Sequence, residues 1–424
     1  MRWIRAAGRG LLVAALVLAA HAGAPGPGRE SAQAAGRGPM TLVTAGDLTG
    51  YLPPLLREWN EEHPAEKVTL VELPESADET RAQMISELRA GSDRFDVLNI
   101  DVAWTSEFAA AGWIAPLERG RFPLDSFLSP VVDTATFDGR LYAVPYVTNA
   151  GLLYYRSDVL RREGLEPPRT WAELEHQART VAPRHGLGGY AGQFLPYEGL
   201  TVNAVEAVHS AGGSILRDDG ERVSVGSREA RRALDFLAGG VREGWIPRES
   251  LGWKEEESRR AFQEGRLLFL RNWPYVYREA AAPGSAVAGR FGAVPLPGPG
   301  GPGTSVLGGS NLAVSSHSRY PASAADLIAH LTGEEVQRRV LTEGGLPPVR
   351  AALYRDPALV RDHPYLPTLR QSVLSAVPRP KSPRYDQVSL AVQAVVQDVL
   401  ALRQTSGEAV PRLVRELAAI SRGS

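Results

Sequence analysis

Residues 40 to 101 read MTLVTAGDLTGYLPPLLREWNEEHPAEKVTLVELPESADETRAQMISELRAGSDRFDVLNID, and the periodicities in this stretch decide the fold. Thr41 to Thr44 is a short β-type run, after which Leu52, Leu55, Leu56 and Trp59 recur at helical spacing until His63-Pro64 stops the helix. Val68 to Leu73 is the next strand. Ser76 followed by Glu79 has the pattern of a capping box and opens a helix through Met84, Ile85 and Leu88, which Gly91 ends. Phe95 to Ile100 is the third strand. Strands alternating with helices in this way predict an α/β architecture with largely parallel sheets. Asp47, Asp78 and Asp101 each follow one of the three strands, at the carboxyl edge where open α/β sheets bind ligands. Asp47 and Asp78 also suit a turn and a first helical turn, so Asp101 is the strongest candidate of the three.

Downstream of Leu141 to Pro145 a second set of elements begins, with a strand at Leu152 to Arg156 and a helix opened by the capping box Thr170 and Glu173. Helices are predicted at Gly199 to Ala211, Ser227 to Val241 and Lys254 to Glu264, the last leading into a strand at Arg266 to Leu270. Pro283 to Gly303 is dense in Gly and Pro and reads as loop. Val306 to Ser315 reads as a strand, with helices after it near Ala322 to Leu331 and from a capping box at Thr332 and Glu335. No internal repeat is visible.

Upstream, Arg2, Arg5 and Arg9 precede an apolar run from Leu11 to Ala20 and then small residues, the pattern of a secretory signal peptide with candidate cleavage sites after Ala22, Ala24 and Ala34. Gly23 to Gly38 has the composition of a flexible tether, and folding is expected to begin near Met40. No later stretch approaches the ~20 apolar residues a membrane span needs, so the exported chain is expected to be soluble. At 424 residues it should form two lobes. Its 47 basic and 48 acidic residues leave no overall field to attract nucleic acid or an anionic membrane surface. Cysteine is absent, which excludes disulfides, thiolate metal sites, a cysteine nucleophile and an N-terminal lipidated cysteine.

The sequence holds no G-x-S-x-G elbow, no G-x-x-x-x-G-K phosphate loop, no H-E-x-x-H and no G-x-G-x-x-G after a strand. Its 8 histidines never pair at metal-ligand spacing, and neither a metal nor another cofactor is expected. What recurs instead is aromatic residues beside carboxylates, amides and guanidinium groups: Asp101 to Trp104, Tyr146 to Asn149, Gln193 to Glu198, Arg271 to Tyr275 and Arg379 to Tyr385. A neutral sugar presents hydroxyls around its rim and apolar C–H faces, so it requires this mixture. Any single Trp or Tyr is more often core than platform. Trp273 departs from that rule because it follows a strand and precedes Pro274 at an element edge.

The segments AGDLTGYL (45–52), ELPESADE (72–79), DVLNIDVAWT (96–105), DGRLYAVP (138–145), YEGLTVN (197–203) and LGGSNLAV (307–314) resemble extracellular solute-binding proteins of carbohydrate ABC transporters, of the maltose-binding class. Within that class the similarity is closest to the actinobacterial trehalose- and maltose-binding branch, and it runs from about Thr41 to the C-terminus. The resemblance implies a type II periplasmic-binding-protein fold, α/β throughout, whose lobes are residues 39–145 with 305–344 and residues 146–304 with 345–424, after a signal peptide and linker at 1–38. Crossings between lobes are expected near Val144, Thr304 and Gly344. It further implies a monomeric, non-enzymatic protein that closes on a disaccharide and delivers it to membrane permease subunits. Matching positions would place Asp47, Asp78 and Asp101 on sugar hydroxyls from the first lobe, and Gly309 would bring bare backbone close to the sugar. Asn149 and Glu198 would hydrogen-bond it, Trp273 would stack on a ring, and Arg379 would close over the ligand. The missing lipid-attachment cysteine departs from the pattern of actinobacterial relatives, so the exported protein is expected to be freely secreted or held at the outer face of the membrane by its transporter or another anchor. A different solute such as a polyol remains open, as does a secreted glycoside hydrolase with two opposed carboxylates.

Overall fold

The computed structural model describes residues 36–46, 50–217, 220 and 222–422. The segment read as signal peptide, most of the linker after it, and Asp47 lie outside the described residues. Two mixed sheets organise the rest, one of five strands and one of four. We number their strands β1 (Met40–Ala45), β2 (Val68–Leu73), β3 (Val97–Asp101), β4 (Ala143–Ala150), β5 (Leu152–Arg156), β6 (Gly188–Ala191), β7 (Leu267–Asn272), β8 (Phe291–Pro295) and β9 (Leu307–Val314). The first sheet has the order β2-β1-β3-β9-β4 and the second β8-β5-β7-β6. In each sheet one strand opposes the common direction: β9 is antiparallel to both β3 and β4, and β5 to both β7 and β8.

The opening unit forms as its periodicity dictates. The helix Leu52–Glu62 buries Leu52, Leu55, Leu56 and Trp59 against the first sheet, and its prolines fall at the first positions, where no backbone donor is needed. The helix Ala77–Arg89 buries Thr80, Met84, Ile85 and Leu88. Two cap readings are corrected. Ser76 precedes its helix without a side-chain cap bond, and Thr80 donates to the Pro74 carbonyl instead. The helix near residue 334 is capped by Gly333, because the Thr332 hydroxyl is turned back onto the Ile328 carbonyl of the preceding helix. The Thr170–Glu173 box forms with both of its bonds. The Gly- and Pro-rich stretch 283–303 is also corrected, since Phe291–Pro295 within it pairs with β5 and supplies the edge of the second sheet, where a terminal proline is tolerated.

The chain changes sheets between β4 and β5 across the single residue Gly151, well past Val144, which lies inside β4. It returns at residues 304–306, where Val306 pairs with Val377 in a further passage beside it. β9 then inserts between β3 and β4. Near its start Gly309 has φ of +107°, and a Cβ there would lie 2.0 Å from the Val147 carbonyl oxygen of β4. The register between β9 and β4 shifts immediately afterwards, between Ser310 and Asn311. Bare backbone at this position is therefore demanded by the neighbouring strand as much as by the cleft it borders. A Gly309→Ala variant should lose about 1–3 kcal/mol of stability, measured by urea unfolding, and a change below 0.5 kcal/mol would contradict this account of the bulge.

Candidate functional site

The carboxyl ends of β1 and β3, the bulge of β9 and the start of the helix Glu198–Ser210 converge on one cavity of about 610 Å³ between the two sheets. Sites for small ligands occupy ~300–1,000 Å³. Among the sequence candidates, Asp101, Asn149, Glu198, Trp273, Gly309 and Arg379 all line this cavity. Ser76 and Ala77 border it too, whereas the next residue, Asp78, is not among the lining residues; burial raises its carboxyl pKa, opposed by Arg81, Lys254 and a bond from the Glu198 backbone.

Arg379 is the centre of the site's electrostatics. Its side chain is almost wholly buried, donating from Nη1 to Glu198 Oε1 at 2.7 Å and from Nη2 to Asp101 Oδ1. Asp101 ends a strand of the first sheet, and Glu198 opens a helix packed with the second, so the guanidinium joins the two halves. It is held between two carboxylates instead of waiting to close over a ligand. Glu198 also accepts from the Tyr385 hydroxyl and, at 2.6 Å, from Ser389 Oγ. Burial pushes the Glu198 carboxyl above the ordinary range, and Arg379 opposes that shift. Burial alone would lower the Arg379 pKa, but Asp101, Tyr385 and Glu198 outweigh it and hold the cation firmly charged.

Five aromatic residues line the same cavity, Tyr51, Trp104, Tyr197, Trp273 and Tyr275, and a charged group contacts each of the last three. The Tyr197 hydroxyl donates to Glu255 Oε2 at 2.5 Å, and the Tyr275 hydroxyl donates to Glu256 Oε1 at 2.8 Å. Burial and the neighbouring carboxylate raise both phenol pKa values, so both hydroxyls stay protonated as donors. Trp273 leaves the end of β7 with its N–H on Asn272 Oδ1 and its carbonyl accepting from Tyr154. The Arg271 guanidinium lies 4.1 Å from the Trp273 ring centroid.

Sequence reasoning missed Asn99 and the acidic start of the helix Glu255–Gln263. Asn99 lines the cavity, donates to Thr44 Oγ1 at 2.9 Å, and leaves Oδ1 as a buried acceptor with no partner among the described residues. A signal existed, because Asn99 stands two positions before Asp101 and therefore on the same face of β3. Glu255 and Glu256 gave no local signal beyond a charged first turn, which satisfies a helix dipole wherever the helix lies. Among the described residues, no group of three or more His, Asp or Glu could hold a metal, and no helix is long and apolar enough to cross a membrane.

This arrangement can bind a polar, ring-faced molecule from two sides: carboxylate, amide and guanidinium groups for its rim and aromatic faces for its apolar surfaces. Residues 55–368 match the family model described as bacterial extracellular solute-binding protein. A probable ABC transporter-binding protein of Deinococcus radiodurans is 34% identical over 83% of this chain and 86% of its own length. A mannitol-binding protein of Pseudomonas aeruginosa is 26% identical over 55% of this chain and 52% of its own. Among solved structures, maltose-bound T. maritima MalE3 superposes with a TM-score of 0.85 at 33% identity, covering 90% of this chain and 99% of that one.

Proposed function

The chain belongs to the bacterial extracellular solute-binding proteins, and from that premise we propose that it is the sugar- or polyol-capturing component of an ABC importer whose preferred ligand is a disaccharide, trehalose before maltose. In this reading its two lobes are built on the five-stranded and four-stranded sheets, and they close on the ligand. The observation that carries the proposal is the cavity itself: aromatic rings from the second half face amide and carboxylate groups from the first, a pairing suited to an uncharged ring with hydroxyls at its edge. Asp101, Asn99 and Asn149 would take hydroxyls from one side. Trp273, Tyr197 and Tyr275 would cover ring faces from the other, and Glu198 and Arg379 would join the two.

Such a ligand touches both halves only when they are together, so it favours the closed form by its differential affinity. The closed form is the species offered to membrane permease subunits. The proposed chemistry includes no covalent step. Asp101 and Glu198 are bridged by one guanidinium, so they are already engaged with Arg379 and do not stand as two free carboxylates opposed across a gap, the arrangement a glycoside hydrolase requires.

Thermal unfolding with trehalose, maltose, sucrose, mannitol and ribitol tests the proposal. A true ligand at one hundred times its Kd should stabilise by ~2.7 kcal/mol, raising the midpoint by roughly 5–10 °C for lobes of this size. A shift with trehalose alone supports the disaccharide, and a shift only with a linear polyol reassigns the ligand. The absence of any shift would overturn the sugar reading, and release of monosaccharide over time would move the protein to the hydrolases.

A further inference from the structure

Directly behind the cavity lies a charged network that ligand binding does not use. Arg271, fully buried near the end of β7, donates from Nε to Glu206 Oε2 at 2.7 Å, from Nη2 to Glu206 Oε1 at 2.6 Å and from Nη1 to Gln193 Oε1 at 2.8 Å. Glu206 Oε1 in turn accepts from Ser305 Oγ and from the Val306 backbone N–H, each at 3.2 Å, so the pair grips the passage by which the chain returns to the first sheet. The outgoing passage is equally close: a Cβ on Gly151 would lie 2.5 Å from Glu206 Oε1 and 2.7 Å from Arg271 Nη2. On its other side the guanidinium lies against the Trp273 ring, whose far edge abuts Gly308 at the start of β9.

A buried ion pair is seldom worth more to stability than apolar residues of equal volume. This one nevertheless lies where the passage at Gly151, the passage at residues 304–306 and the Trp273 indole meet. We infer that Arg271, clamped by Glu206 and Gln193, is a positioning residue for ligand capture: it sets the tilt of the Trp273 ring and ties that ring to the strands that cross between the lobes. The inference rests on the cavity being the ligand site, but the residue itself stays out of the cavity. A ring held at one tilt meets a sugar face without first losing its own freedom, and a desolvated cation against its hidden face holds that tilt more firmly than an exposed one would. Ligand closure and ring orientation thereby share one rigid element.

The test neutralises both partners together, Arg271→Gln with Glu206→Gln, so that no unpaired charge is left buried, and uses Arg271→Lys as a milder second variant that keeps the charge. Two readouts are taken on protein with a cooperative thermal transition. The first needs no ligand: Trp273 emission is isolated as the difference between each protein and its Trp273→Phe counterpart, with acrylamide as quencher. Release of the ring predicts a red-shifted difference spectrum and about twofold greater quenching in the double variant, with Arg271→Lys intermediate, on the scale expected from losing a cation–π contact. The second is the Kd for maltose by calorimetry, expected to weaken about tenfold, which is ~1.4 kcal/mol. An unchanged difference spectrum in both variants would reduce the pair to a structural role and overturn the inference, as would a lowered midpoint with an unaltered Kd. If the unsubstituted protein ignored maltose, the Kd would be taken with trehalose instead; if it ignored both, that result would count against the disaccharide reading, and the difference spectrum would still decide the role of Arg271.

Discussion

Replacing Arg379 by methionine should cost about 3–5 kcal/mol of stability, the usual loss when one partner of a buried ion pair is removed and its counter-charge remains. Methionine fills much of the same volume, so the loss is electrostatic more than steric. Glu198 would be left buried with only the Tyr385 and Ser389 hydroxyls to solvate it. Its folded-state pKa already lies above the ordinary carboxylate value, and removal of Arg379, the strongest group opposing that shift, raises it further. A carboxyl whose folded pKa exceeds its unfolded one stabilises the fold below the unfolded value, and that contribution is lost as pH rises through the folded value. The variant should accordingly regain stability on acidification from about pH 7.5 to about pH 5, with the parent showing the same sign more weakly. Urea unfolding at the two pH values measures this. A variant as stable as the parent, or one with no gain on the acid side, would contradict the bridging role assigned to Arg379.

Trp273→Ala should weaken disaccharide binding by about 30- to 150-fold, the equivalent of roughly 2–3 kcal/mol, because it removes both the apolar area a sugar face would cover and the stacking on top of it. Trp273 is only partly buried, packed against the guanidinium behind it and the Gly308 backbone at its edge. The fold should therefore survive its truncation with a modest fall in the unfolding midpoint. Calorimetry with trehalose and maltose, alongside a melt, separates the two effects. Undiminished affinity in the folded variant would remove Trp273 from the site.

The opening unit was legible because local spacing and burial coincide there: Leu52, Leu55, Leu56 and Trp59 repeat as one helical face and are buried as one. The same holds for β3, where an apolar run ends in Asp101 at the sheet's ligand-facing edge. Legibility failed where a neighbour overrode the local signal. Phe291–Pro295 looks like loop among its Gly and Pro residues, yet β5 offers it a free edge to pair with. Thr332 has the sequence of a cap but spends its hydroxyl on the preceding helix. Glu255 and Glu256 look like an ordinary acidic first turn, and their hold on Tyr197 and Tyr275 exists only because two distant loops arrive beside them.

The sequence by itself determined the alternating α/β character, the residue types able to meet a sugar, the absence of thiol chemistry and the edge position of Trp273. These follow from periodicity and composition, which are properties of neighbours in the chain. Only the tertiary structure decided that Arg379 stands between Asp101, 278 residues away, and Glu198, 181 residues away. It likewise decided that Gly309 is glycine because β4 passes within contact of it, and that Arg271 braces Trp273 from behind. Such pairings depend on how the strands cross between the two sheets, and no local pattern encodes a distance across a crossing.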